Sequence, residues 1–574
     1  MIRTDILNDQ FIVYARPIDT EVMKTIFGAR YSSKLQAWTV PARLPQALQL
    51  GDLFKGLLVK TPEVTAHLRR LVAHEASVAE AKRLSYAFFT EDPAYSYQLE
   101  GAHFLCEART ALLADDMGSG KTLQSLYAVG RENAFPALVV CSASMKYKWA
   151  EEAERWLRGE AEAVVIDGTV AQRRKQIAEI SELTAHRVPV VAIINYDTLI
   201  RHTRLSGWGG VDVSGKDAES KELNAIEWQA VIVDEVHKIK DPRAKRTRAC
   251  WEISKRASVR LALSGTPVVN SPDDLWAVMR FVAPEEAGSR TQFRERYCNL
   301  QVGWHGGIEV NGLREDRKPE LFRWLNTRML RRTKAEIGLQ LPPKVVEVLS
   351  LDLTTKQAKA YADLQKKMLT ELDQGLLVVT DPLVLVNRLR YVASAMPVLS
   401  EGGEITELTT PSNKIEALLD IVEQMPDGDP VVVFAESRKL VELAGRELEA
   451  RGLRCGYITG AVSSQLRAVT VEEFQAGKLD AVLCTTGAGA EGITLTRADT
   501  MVFLQRSWSN VANRQAEDRI HRIGASGEFA RIYYLMSSGT VDEAVEAAAA
   551  RKEGWLQEVV RDRDRLRALI GGSL

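Results

Sequence analysis

Between Leu112 and Val129 the chain reads LLADDMGSGKTLQSLYAV, and this stretch restricts the possible folds more than any other. An apolar run, TALLA, enters a glycine-bearing loop, and a helical pattern, TLQSLYAVG, leaves it. Strand, loop and helix in that order form the setting of a phosphate loop. Glycines 118 and 120 let main-chain N–H groups approach phosphates, and the helix N-terminus adds a favourable partial charge. Lys121 is placed for the β- and γ-phosphates, and Thr122 offers a hydroxyl to Mg²⁺. One position departs from the general pattern: five residues before the second glycine stands Asp115, not glycine.

The surroundings of the loop agree with it. The runs ALLAD, ALVVCSA, VPVVAIINY, QAVIVDE and VRLALSGTP are short, apolar and separated by helical stretches. Strands buried on both faces read this way, and their alternation with helices implies a parallel α/β sheet. A second series, PVVVFAE, LRCGYITG, DAVLCTT, TMVFLQ and ARIYYLM, repeats the pattern beyond residue 411. Between the two series, FRWLNTRMLRRTKAEIG and TTKQAKAYADLQKKMLTELDQG read as helical, and EGGEITELTTPSN as a loop or linker. Upstream, DQFIVYARP reads as a strand, KLQAWTVPARLPQALQL as a strand turning into a helix, and Thr61–Leu84 as a helix.

The expected organisation is an N-terminal accessory α+β domain (1–90), a first α/β lobe (91–285), helical insertions and a linker (286–410), a second α/β lobe (411–545) and a C-terminal brace helix (546–574). Charge restricts the partners. With 75 basic and 76 acidic residues the net charge is −1, so any nucleic-acid binding requires a local basic patch. The six cysteines form no CxxC pair, which argues for reduced thiols and against structural zinc. The N-terminus lacks the apolar core of a signal peptide, and no apolar run approaches the ~18 residues of a membrane span.

Three further segments carry chemistry. In AVIVDEVHKIK a strand runs into Asp234 and Glu235. A carboxylate at that end of a strand, in the sheet of a phosphate loop, is placed to hold Mg²⁺. Asp234 takes that role, Glu235 orients and deprotonates the attacking water, and His237 couples nucleotide state to neighbouring motifs. In LALSGTP, Ser264 and Thr266 are expected to hydrogen-bond to the acidic pair. In QAEDRIHRIG, Arg519 and Arg522 are three apart, hence expected on one helical face, where two guanidinium groups suit a phosphate.

Taken in order, these motifs resemble those of superfamily 2 helicases, and more closely the Swi/Snf-type DNA translocases. YSYQLEGAHFL is similar to that family's adenine-recognition motif, with Gln98 reading the base. ADDMGSGKT resembles the family's phosphate loop, usually ADEMGLGKT, in which an acid also occupies position 115. VVCSASMKYKWAEEAERW resembles the next motif, with Ser142 in place of proline, and INYDTL, VVVFAES, LCTTGAGAEGITLTRADTMVFL and RQAEDRIHRIG align with others, covering about 92 to 545. RYCNLQVGWHGG and the segment ending LRRTKAEIGLQLPPK resemble the inter-lobe region of HARP-type annealing helicases, and the N-terminal W-x-x-P segment is loosely similar to their accessory module.

The resemblance implies two RecA-like lobes using ATP and Mg²⁺, with Asp116, Met117, Gly118, Ser119, Gly120, Lys121, Thr122, Gly492 and Gln515 holding nucleotide, and with Arg519 and Arg522 acting on the γ-phosphate. It implies translocation on duplex or branched DNA, with fork remodelling, strand annealing or protein displacement as tasks. A strand-separating DNA or RNA helicase, a motor subunit of a larger DNA-processing or defence complex, and an inactive scaffold remain the alternatives. Lys238 to Arg260 holds nine Lys/Arg against two acids. Lys238, Lys240, Lys245 and Arg246 are therefore candidate DNA contacts, with Thr485, Thr486 and Trp508 in the second lobe. RMLRRTK adds a further basic cluster between the lobes. The expected location is the cytoplasm, as a bacterial or phage-encoded protein associated with the nucleoid, with a nuclear home as the alternative.

Overall fold

The computed structural model describes residues 1–84, 93–207, 213, 215–265, 272–302, 308–338, 341–373, 382–401, 404–489, 492–522, 524–525, 527–543 and 545–546. The described residues separate into two compact units, one over Met1–Gly338 and the other within Leu339–Gln557.

The first unit begins with a five-stranded sheet: β1 (Ile2–Leu7), β2 (Gln10–Tyr14), β3 (Arg30–Ser32), β4 (Ala37–Pro41) and β5 (Leu58–Lys60), in the order β3-β4-β2-β1-β5. Alternation along β2 and β4 buries Phe11, Val13, Trp38 and Val40 in one small core, so the tryptophan of the W-x-x-P segment is a packing residue. The helix Pro62–Ala81 is capped by Thr61, whose hydroxyl accepts from Val64 N, with proline at its first position.

This module is fixed to the adjacent lobe. Gln46 donates to the main-chain oxygen of Glu285 (2.9 Å), Gln292 to those of Lys24 and Ile26 (2.8 and 3.1 Å), and Arg323 pairs bidentately with Glu75 (2.8 and 2.7 Å). Lys82 donates to the main-chain oxygens of Asn326 and Met329 (2.6 and 3.0 Å), where the helix Lys318–Arg328 ends.

The lobe itself is a seven-stranded sheet of β6 (Thr110–Leu113), β7 (Ala137–Cys141), β8 (Glu162–Val165), β9 (Val190–Asn195), β10 (Ala230–Asp234) and β11 (Val259–Leu263). After a β12–β13 hairpin (Cys298–Val302, Ile308–Leu313), β14 (Met329–Leu330) completes it. The order is β14-β6-β11-β10-β7-β9-β8 and every pairing is parallel. Five strands coincide with the apolar runs of the sequence. FRWLNTRMLRRTKAEIG departs from its helical reading: the helix stops at Arg328 and β14 follows, because the amide of Ala114 takes the Leu330 carbonyl (2.7 Å) and draws the chain onto the sheet edge.

A buried carboxylate pins this edge. Glu286 accepts from Trp324 Nε1 (2.6 Å) and from Arg328 (2.5 Å), whose guanidinium also reaches Thr110 Oγ1 (3.0 Å) at the start of β6. Burial raises the Glu286 carboxyl, but the charge and hydrogen bonds of Arg328 outweigh it and hold the group below the usual range. Its stabilisation is therefore complete above the unfolded value of about 4.3 and is lost as pH falls through the lower folded value. Glu286→Gln is expected to cost about 3–5 kcal/mol at neutral pH by stranding Arg328. Urea midpoints of variant and parent should draw together as pH falls through the lowered folded value; a pH-independent gap would contradict the assignment.

The second unit carries β15 (Lys344–Leu351), β16 (Met396–Leu399), β17 (Ile405–Thr409), β18 (Val431–Ala435), β19 (Cys455–Ile458), β20 (Ala481–Thr485), β21 (Thr500–Phe503) and β22 (Ala530–Ser537). Six form a parallel sheet in the order β15-β22-β21-β18-β20-β19. The segment 401–413, read from sequence as a linker, contains β17, which pairs antiparallel with β16. Residues of the stretch 286–410 thus enter both sheets, β14 in the first and β15 in the second. The expected brace helix lies outside the described residues beyond 546. Among the described residues, no helix is long and apolar enough to cross a membrane.

Candidate nucleotide and nucleic-acid sites

β6, β11 and β10 are adjacent, so their carboxyl ends bring three sequence-distant motifs together. The crevice outside such strand ends is where α/β sheets bind ligands. From β6 the chain enters the loop 114–120. Gly118 and Gly120 have φ of +79° and +75°, a conformation L side chains rarely adopt. A Cβ on Gly120 would lie 2.2 Å from Gln98 Nε2, so this glycine is required by space as well as by conformation. Gln98 is buried against the loop, donating to Ser119 O (3.3 Å) and accepting from Tyr95 N (3.0 Å). Met117 is buried beside Gly265.

Two polar side chains of the loop point inward. Ser119 Oγ is buried with no hydrogen-bond partner. Lys121 Nζ donates to the carbonyls of Asp115 and Asp116 (2.8 and 3.0 Å), folded back on its own loop. Burial lowers the Lys121 ammonium, while Glu235, Asp115, Asp234 and Asp116 pull it the other way.

Asp234 closes β10. Its Oδ2 accepts from Trp149 Nε1 (3.0 Å), its Oδ1 from Glu235 N (2.9 Å), and its carbonyl from the Tyr196 hydroxyl. Burial and the neighbouring Glu235 charge push its carboxyl up to about 6, the Trp149 hydrogen bond opposing them. Glu235 has φ +51°, which turns the chain sharply after the strand. His237 Nδ1 lies 3.2 Å from Glu235 Oε2 and 3.4 Å from Ser264 Oγ. Ser264 therefore contacts the acidic pair through His237; Thr266 lies outside the described residues. Lys238 donates to Ser142 Oγ (2.9 Å), the serine that stands where the family has proline.

Sequence reasoning missed the partner of Asp115. This fully buried carboxylate accepts from Arg332 N (2.9 Å), Nε (3.2 Å) and a terminal nitrogen (2.6 Å). Arg332 also donates to Tyr97 O (2.8 Å) and Glu100 (3.2 Å). Arg331 pairs with Asp116 (3.2 Å) and donates to Gly265 O (3.1 Å). The RMLRRTK cluster is thus corrected: Arg328, Arg331 and Arg332 are spent inside the first unit, strapping β6 and its loop. The one signal was Asp115 itself, an acid where the general phosphate-loop pattern has glycine.

In the second unit, the helix Asn510–Glu517 ends before Arg519. The expectation of a shared helical face is corrected, because the Arg519 carbonyl is taken by Leu495 N (3.0 Å) and the chain turns away. The two arginines still converge: Arg519 donates to Ile493 O (3.0 Å) and Arg522 to Thr494 Oγ1 (3.1 Å), beside Gly492 with its φ of +78°. Gln515 Nε2 and Thr486 Oγ1 are buried without hydrogen-bond partners. Thr485 ends β20, and Trp508 is half-buried with the Arg390 guanidinium 5.8 Å from its ring centroid.

The basic stretch 238–260 is partly neutralised. Lys245 pairs with Asp217 (2.9 Å), Lys240 approaches Asp274 (3.8 Å) and Arg243 pairs with Asp241 (3.2 Å). Arg246, Lys255 and Arg256 are exposed.

A glycine-bearing loop on β6, an acidic pair on β10 and a parallel sheet beneath them define a phosphate-loop α/β protein. Residues 97–395, just over half of the chain, match the SNF2-related domain, and residues 413–524 match the helicase conserved C-terminal domain. The chain belongs to the SNF2-related family. It is 28% identical over 466 residues to DNA annealing helicase and endonuclease ZRANB3 of Bos taurus (79% of this chain, 39% of that protein). It is 26% identical over 487 residues to the Putative ATP-dependent helicase/translocase YwqA of Bacillus subtilis strain 168 (81% and 48%). The chain therefore spans less than half the length of these two relatives. The Sulfolobus solfataricus SWI2/SNF2 ATPase core in complex with dsDNA is similar at a TM-score of 0.35 and 24% identity, covering 86% of this chain and 98% of that one.

Proposed function

We propose that the protein hydrolyses ATP to translocate along duplex or branched DNA. The observation that carries this is the convergence of the Ser119–Lys121 loop after β6 with Asp234 and Glu235 at the end of β10, two strands separated only by β11, in a chain of the SNF2-related family. Backbone N–H groups of 118–122 and Lys121 bind the phosphates, and Gln98 braces the loop from the base side. Glu235, oriented by His237, takes the proton of the attacking water. Among the described residues no cluster of three or more His, Cys, Asp or Glu forms a metal cage. Mg²⁺ is bound through one or two carboxylates plus substrate phosphates, and Thr122 and Asp234 would hold it here. The ion supplies charge neutralisation at the phosphates. Arg519 and Arg522 stabilise charge on the transferred group, and Gly492 and Gln515 belong to the same nucleotide set.

DNA contacts are assigned to Lys238, Lys240, Lys245 and Arg246 in the first lobe and to Thr485, Thr486 and Trp508 in the second. Phosphate contacts of this kind weaken steeply with salt. Triplex displacement tests the reading. ATP-dependent release of a third strand from intact duplex, without separation of the duplex, is the expected result. Unwinding of a forked duplex with no triplex release would favour the strand-separating helicase. The similarity to an annealing helicase favours strand annealing or fork remodelling as the task.

A further inference from the structure

Away from the nucleotide loop, a cavity of about 920 Å³ opens between the N-terminal module and the first lobe, within one compact unit. Its lining carries five charged side chains, Asp9, Glu285, Arg30, Arg43 and Arg280. Arg43 pairs with both acids, donating to Asp9 (2.9 Å) and to Glu285 (2.8 Å), so that one positive charge faces two negative ones. Arg30 and Arg280 have no ion pair or side-chain hydrogen bond among the described residues, so the cavity is left with net positive charge.

Arg280 is the unusual one. Its guanidinium carbon lies 4.5 Å from the Trp251 ring centroid and 5.5 Å from that of Trp276. The two indoles meet edge to face at 5.8 Å, and each spends its N–H on a main-chain oxygen, Trp251 on Ala277 (3.1 Å) and Trp276 on Gly288 (3.2 Å). The aromatic platform is therefore fixed, and the arginine on it is held in one place. Burial lowers the Arg280 guanidinium, and no neighbouring carboxylate offsets the cost. A desolvated cation is ordinarily paired; stacking on aromatic faces returns part of the cost but leaves the planar N–H donors for an acceptor. Guanidinium donors match phosphate oxygens in geometry and charge. Asn8, Ser289 and Thr291 add neutral polar side chains to the same lining.

We propose that this cavity binds a phosphate group, with Arg280 as the anchoring residue and Arg30 as the second cation at its rim. The phosphate comes either from a nucleic-acid backbone or from a free phosphate-bearing small molecule. The site does not depend on the nucleotide loop, and its test is separable from that of the proposed function.

The experiment uses the full chain with Lys121→Ala, which removes the loop as a competing phosphate site. A short blunt DNA duplex and inorganic pyrophosphate are titrated separately, following Trp fluorescence. Arg280→Met keeps the side-chain volume against the tryptophans, and Arg30→Ala changes an exposed residue only. Each is expected to weaken at least one probe by about fivefold, equivalent to roughly 1 kcal/mol. The double variant is expected to lower the salt slope of duplex binding by roughly 0.9 for each phosphate it no longer neutralises. With Lys121 intact, basal ATP hydrolysis of both variants should match the parent, showing that the lobe is folded, and Arg280→Lys should recover part of the affinity. Loss confined to the duplex assigns a nucleic-acid phosphodiester; loss on pyrophosphate assigns a free phosphate ligand. If the duplex does not bind but pyrophosphate responds to Arg280→Met, the translocase reading fails and this site stands. Unchanged affinity for both probes, or no binding of either to the parent, overturns it.

Discussion

Arg332→Ala is expected to destabilise the first lobe by about 3–5 kcal/mol, the cost of leaving a buried carboxylate without its partner. Asp115 has no exposure, and of the three hydrogen bonds it accepts from Arg332 the two from the guanidinium are lost while the one from the main-chain amide remains. The same substitution should weaken nucleotide binding, because Asp115 and Asp116 set the carbonyls on which Lys121 rests. Arg332→Lys keeps the charge but loses the fork and should fall between parent and alanine. The double variant Asp115→Asn with Arg332→Met should recover stability relative to Arg332→Ala, since both charges are then gone. Urea melts followed by Trp fluorescence, with nucleotide titration alongside, measure both quantities. A melt of Arg332→Ala that superimposes on the parent would show that the loop is held by other contacts.

Arg522→Ala is expected to lower DNA-stimulated turnover by about 10³-fold or more, the range for loss of an arginine acting on a transferred phosphoryl group. Arg522 is the sharper of the two arginine tests. It is half-buried and contacts Thr494 Oγ1 and Ile493 O, whereas Arg519 is buried and also holds the Gln515 carbonyl (2.8 Å). A structural role predicts a lower melting temperature with turnover lost in proportion to unfolded protein. A role on the phosphate predicts an unchanged melt, near-parental nucleotide affinity and a fall confined to kcat.

What could be read from sequence follows physical range. Strands buried on both faces announce themselves, so β6, β7, β9, β10 and β11, and β18, β20 and β21, coincide with apolar runs; the part-exposed β19 and β22 do so as well. Two edge strands do not: β14 has two residues, and β15 is exposed over most of its length. β16 and β17 carry Pro397 and polar residues, and their pairing exists only because the two segments fold onto each other. The loop and the acidic pair were legible because their chemistry is local: glycines at fixed spacing, and carboxylates at a strand end. The Asp115–Arg332 pair was not, since its members are 217 residues apart and each alone reads as surface charge. The same limit applies to RMLRRTK, whose arginines read as a basic patch and prove to be internal straps. The end of the helix at Glu517 was set by a hydrogen bond from Leu495, which no helical pattern contains.

The central claim is that DNA drives ATP turnover through the site on β6 and β10. Its most direct test is the rate of phosphate release by the purified chain, alone and with duplex DNA, forked DNA, single-stranded DNA or RNA, with Lys121→Ala and Glu235→Gln as controls. Strong stimulation by duplex or fork, abolished in both variants, is the predicted result. Stimulation by single strands or RNA alone, or turnover that survives either substitution, would contradict it.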